Sequence, residues 1–150
     1  MIRLRSAIHT AVMVSLIGLG TVAAGQTATP QVDTMTAQLS GASEVPPVAS
    51  SASASVQAQL DRGTRKLTWT IVHSGLSGSL TAAHFHGPAS AGENAGVAVP
   101  LAGSLDSPIN GSATISEAQM ADLLAGKWYL NLHTAAHPSG EIRGQVMVRP

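Results

Sequence analysis

The stretch Ala82-Ala83-His84-Phe85-His86-Gly87-Pro88 sets two imidazoles one residue apart, and a third, His133, stands in Leu130-Asn131-Leu132-His133-Thr134. On a β-strand, residues i and i+2 leave the same face about 6.5 Å apart at Cα, close enough for two ring nitrogens to converge on one ion at about 2.0–2.1 Å each. Three neutral imidazoles without a thiolate suit Cu(II), Zn(II) or Ni(II), and copper has the higher intrinsic affinity. His84, His86 and His133 are therefore the candidate metal ligands, with copper or zinc as the expected ion. His137, four residues after His133, is a candidate fourth ligand, whereas His73 sits apart on another run. Two other chemistries fit the same residues. Asn131, His133, Glu141 and Arg143 could satisfy one another as a polar patch on paired strands, the last two as an ion pair of little net worth. Arg143 with protonated histidines could also hold an anion. Nucleophilic catalysis has little support: the chain has no cysteine, and Ser74-Gly75-Leu76-Ser77-Gly78 lacks the Gly-x-Ser-x-Gly elbow.

These side chains need strands to aim them, and the chain reads as short alternating runs separated by turn residues. Val56, Ala58 and Leu60 alternate with polar residues before a turn at residues 61–66, and Leu67, Trp69 and Ile71 run back, which predicts a hairpin. In the next run Ala83 and Phe85 point one way and His84 and His86 the other. Near the C-terminus Trp128, Leu130 and Leu132 oppose Tyr129, Asn131 and His133, and Ile142, Val146 and Val148 oppose Glu141, Arg143 and Gln145. Trp69 and Trp128, in phase with aliphatic neighbours, are expected in the core. Glu44, ahead of Pro46 and Pro47, is either a solvated loop charge or the partner of Arg143. Met147 shares Arg143's phase and is a packing residue or a soft ligand. One helix interrupts the pattern: Ser116 with Gln119 forms a capping box, Met120, Leu123 and Leu124 share a side, and Gly126 stops it.

The first 25 residues read as a signal peptide, with Arg3 and Arg5 before an apolar run and small residues at a cleavage site near Gly25. Residues 26–36 read as a flexible leader. Without Arg3 and Arg5 the chain keeps six basic and eight acidic residues, a formal charge of −2, and no basic stripe to track phosphates. Nucleic acid is thus not an expected partner. The apolar run is short for a bilayer span, so no membrane association is expected of the mature form, which would be secreted or periplasmic. Without disulfides, stability must come from core burial, helped by any bound metal.

Several ordered stretches resemble the CHRD domain family, named after chordin and found also as single exported bacterial domains. They are Leu39 to Val48, Ser74 to Gly78, Ala82 to Gly96, and Leu123 to Val146. The resemblance assigns residues 37–150 to such a domain and implies a β-sandwich. The family's histidine pair falls on His84 and His86, its Asn-x-His-Thr on Asn131, His133 and Thr134, and its Gly-Glu-Ile-Arg-Gly-Gln on Gly140 to Gln145. Phe85 stands where an aliphatic residue is usual. No general activity is established for the family. The fold expected is all-β, a Greek-key-like antiparallel β-sandwich with one short helix. The function expected is metal binding without catalysis, the alternative being an extracellular protein-interaction module whose partner is another protein. A His-x-His strand with a distant histidine is similar to the copper ligation of Cu,Zn superoxide dismutase, but that is an analogy of spacing, and the cysteines of that family are lacking.

Overall fold

The computed structural model describes residues 31–149. The signal-peptide reading of residues 1–25 lies outside the described residues, as do residues 26–30 of the segment read as a leader. The described chain is all-β with one short helix. Its elements are β1 (Val32–Ser40), β2 (Ser53–Asp61), β3 (Lys66–Ser74), β4 (Leu80–His86), β5 (Val97–Pro100), β6 (Ile109–Thr114), α1 (Glu117–Leu124), β7 (Trp128–Thr134) and β8 (Ile142–Val148). β1 begins inside the proposed leader, which corrects the boundary at residue 36. Met35 is buried, and Val32 to Ser40 pairs along its whole length with β2, so residues 32–36 belong to the sheet. Among the described residues no helix is long and apolar enough to cross a membrane.

All eight strands join one antiparallel sheet in the order β5-β4-β7-β8-β1-β2-β3-β6. The second and seventh strands of that order nevertheless touch. Trp69 of β3 and Phe85 of β4 meet edge to face at 5.3 Å between centroids, and Phe85 lies 6.1 Å from Trp128 of β7. The sheet therefore curls over until its two halves face each other like the layers of a sandwich. Alternation fills the space between. Val56, Ala58, Leu60, Leu67, Trp69, Ile71, Ala83, Phe85, Trp128, Leu130 and Leu132 are all buried there. Removing a ring such as Phe85 from a packed interior costs about 3–5 kcal/mol. α1 begins with the expected capping box at Ser116 and Gln119, buries Leu123, and reaches edge strand β5 through a Gln119 Nε2 donation to Ala98 O.

β8 and β1 form the seam between the halves. At that seam a Cβ on Gly144 would lie 2.1 Å from Gln38 O and 3.1 Å from Leu39 Cδ1. The obstacle is backbone, so the strands must separate to admit even a methyl group. Gly144→Ala is expected to destabilise the fold by about 1–3 kcal/mol, the usual cost of overpacking, measured as a lowered urea midpoint.

Glu141, at the entry to β8, ties three segments together. Its carboxylate accepts from Ser50 Oγ at 2.8 Å, Ser77 Oγ at 2.6 Å, Ser77 N at 3.0 Å and Thr134 Oγ1 at 2.7 Å. Burial alone would raise its pKa, but these donors outweigh burial and lower it from 4.5 to about 2. A carboxyl depressed on folding stabilises above its unfolded pKa, and that contribution disappears as pH falls from 4.5 towards 2. Glu141→Gln should therefore lower stability at neutral pH and flatten the acid loss across that window, measured by urea unfolding at successive pH values.

Candidate metal centre

β7 lies between β4 and β8, and all seven of its residues are buried. One face packs into the core. The other carries Tyr129, Asn131 and His133 and is closed by residues 87–96, by the β7–β8 turn and by the segment around Glu44. Register brings the cluster together: His84 pairs directly with Asn131, His86 with Tyr129, and Ala82 with His133. His84 and His133 leave the same face on neighbouring strands, two residues out of step, and their rings meet at 4.9 Å between centroids. The predicted trio does converge. One ring nitrogen from each of His84, His86 and His133 lies within 4.8 Å of the other two.

Hydrogen bonds decide which nitrogens face inward. His86 Nδ1 is 3.0 Å from Ala95 O, and His133 Nδ1 is 3.0 Å from Pro138 O. A carbonyl oxygen only accepts, so both Nδ1 atoms carry the proton and both Nε2 atoms of the neutral rings present a lone pair. His86 Nε2 is buried with no partner, and His133 Nε2 lies 3.1 Å from His84 Nδ1. Two nitrogens on one tetrahedral ion at 2.0–2.1 Å stand about 3.3–3.4 Å apart, so small side-chain rotations would bring all three to one ion. Carbonyls on the outer nitrogens are the usual outer contacts of ligating histidines. Tyr129 braces the arrangement: its ring stacks on His86 at 4.9 Å and 2° between planes, and its hydroxyl accepts from Ala95 N at 3.2 Å.

The electrostatics favour neutral ligands. Burial holds the His84 pKa below 6.5, helped by the neighbouring His133 and His86, and burial likewise lowers His133 against the opposing bond to Pro138 O. Both rings thus keep their lone pairs at a lower pH than free imidazole would.

Other sequence readings divide. Glu141 and Arg143 do not pair with each other. Successive entries into β8 send them to different partners, Glu141 to the serines and threonine above and Arg143 to loop oxygens. Arg143 Nε donates to Ser43 O at 2.6 Å, and Nη1 donates to Asn94 Oδ1 at 2.8 Å and Glu93 O at 3.2 Å. Its nearest carboxylate is Glu44, 3.9 Å away and buried, which selects the second reading of that residue. Burial raises the pKa of Glu44, while Arg143 opposes the rise. His137 is not one of the converging group. Its backbone shapes the turn, Gly140 N donating to His137 O at 3.1 Å, and the turn's contribution to the cluster is the next residue's carbonyl. His73 binds Leu105 O at 3.1 Å away from the trio, and Met147 is exposed. The carbonyls of Ala95 and Pro138 escaped sequence reasoning because any residue type supplies one.

A family model for the CHRD domain matches residues 35–146, two residues earlier in start than the boundary read from the motifs. No curated protein and no solved structure matches the chain. With that match running from within β1 into β8, the histidine trio included, the chain belongs to the CHRD domain family.

Proposed function

We propose that this protein is an exported, non-enzymatic binder of a transition metal ion, copper or zinc, held by His84, His86 and His133. One observation carries the reading. Two backbone carbonyls accept from Nδ1 of His86 and His133, which leaves each Nε2 with a lone pair in a half-buried to buried trio whose ring nitrogens, one from each residue, lie within 4.8 Å of one another. A hydrogen-bonded patch needs donors as well as acceptors, and here His86 Nε2 has no donor opposite it. A divalent cation satisfies several lone pairs at once. Copper is the favoured ion by intrinsic affinity, and zinc the alternative by its common use of imidazole. Export rests on the basic and apolar N-terminal run, and a secreted or periplasmic location suits a domain without cysteines whose stability a bound ion would raise. The binding role is preferred to catalysis because the chain has no cysteine and no serine in a Gly-x-Ser-x-Gly elbow.

Replacing His84, His86 or His133 singly by alanine should weaken Cu(II) or Zn(II) binding by at least about tenfold, some 1.4 kcal/mol, while His73→Ala stays near wild type. Calorimetric titration of the four variants beside wild type measures this. Equal binding by all would make the histidines a structural patch and favour the protein-interaction module. The same titration at several pH values tests the electrostatics. Neutral rings are required, so affinity falls with acid, and the contributions of His84 and His133 should be lost only below pH 6.5, where their lowered pKa values place protonation.

A further inference from the structure

Asn131 lies directly opposite His84 on the paired strand and is 4% exposed. Its Oδ1 is 2.9 Å from His133 Nε2. That contact has no proton to share in the neutral ring, because the single N–H of His133 is on Nδ1, facing Pro138 O. A doubly protonated ring would serve both oxygens, but it would bury a cation at 8% exposure with no carboxylate among its hydrogen-bond partners. Rotating the amide by half a turn would offer N–H to Nε2, yet the surroundings of the amide nitrogen oppose this. A Cβ on Gly140 would fall 2.9 Å from Asn131 Nδ2 and 2.5 Å from Glu44 Oε1, so the amide nitrogen and the carboxylate oxygen both border the space that the missing side chain leaves. The reversed amide would turn its carbonyl towards a buried carboxylate oxygen that already lacks a donor. As it stands, the amide keeps its nitrogen on the side of that carboxylate, without a hydrogen bond to it, and its oxygen on the side of the His133 ring.

The consequence is a convergence of acceptors. Asn131 Oδ1 and His133 Nε2 are 2.9 Å apart, and His133 Nε2 and His84 Nδ1 are 3.1 Å apart. Adjacent ligands on one tetrahedral ion, each at about 2.0–2.1 Å, stand about 3.3–3.4 Å apart, so both spacings need to open by only a few tenths of an ångström. We infer that Asn131 Oδ1 is a fourth protein ligand, completing a site of three imidazole nitrogens and one amide oxygen. The inference rests on the metal reading above and sharpens it. A carbonyl oxygen is a hard donor, so this set selects a divalent ion, Cu(II) or Zn(II), over the softer Cu(I).

Zn(II) is the probe, titrated into the chelator-treated protein by calorimetry and, in labelled wild type, by carbon and nitrogen resonance of the Asn131 side chain. Asn131→Leu keeps the shape and removes the oxygen, and it should bind zinc about tenfold or more weakly. Asn131→Asp keeps the oxygen and adds charge, and it should bind at least as tightly as wild type. In wild type the Asn131 side-chain carbonyl carbon should move downfield as zinc saturates. Wild-type binding with an Asn131→Leu variant of equal or greater affinity overturns the ligand assignment alone, because an amide that only caps His133 competes with the metal. Should Asn131→Leu fail to fold, an unmoved carbonyl carbon at saturating zinc overturns it. Wild type that binds no zinc removes the metal reading and this inference together.

Discussion

Every side chain of β7 is buried, so each polar group on its second face must find its partner inside the protein. Leaving a buried polar group unpaired costs about 1–3 kcal/mol, a large part of a small domain's stability. The loops that border this face supply partners: Ala95 N donates to the Tyr129 hydroxyl and Pro138 O accepts from His133 Nδ1, while beside them Ala95 O accepts from His86 on β4 and Ser43 O and Asn94 Oδ1 accept from Arg143 on β8. The same bonds that satisfy the face also dictate its chemistry. A carbonyl placed on Nδ1 of an imidazole consumes the ring's one proton and turns Nε2 into an electron-pair donor.

The core and the centre are two faces of one set of strands. Phe85 reaches across to Trp69 and Trp128, and this anchors β4 in the register that aligns His84 with Asn131 and His86 with Tyr129. A slip of one residue would exchange core and site. The close approach at Gly144 holds β8 against β1, and Glu141 pins the turn that supplies Pro138 O. Stability and ligand placement therefore share residues that never touch the cluster.

Much of this was legible in the sequence because alternation is a local signal. The phases of Trp69, Phe85, Trp128 and Leu132 were readable, as were the capping box at Ser116 and the gathering of His84, His86 and His133. Partner choice was not local. Glu141 and Arg143 looked like a pair because they share a face, but their partners lie from 7 to 100 residues away in the chain. His137 looked like a ligand because of its residue type, whereas the turn uses the carbonyl of Pro138. Asn131 looked like a polar strand residue of the patch; only the strand register, which sets its Oδ1 2.9 Å from His133 Nε2, brings its amide oxygen to the histidines. Where β1 begins was also obscured, since the polar residues at its start are held by pairing with β2 rather than by an apolar pattern of their own.

On this reading His84, His86 and His133 hold a metal ion in the protein's own compartment. Elemental analysis of protein purified from that compartment, without added metal and beside the His86→Ala variant, tests it most directly. Stoichiometric copper or zinc is expected in wild type and should be lost in the variant. Trace metal in both, at the level of the buffer, would contradict it.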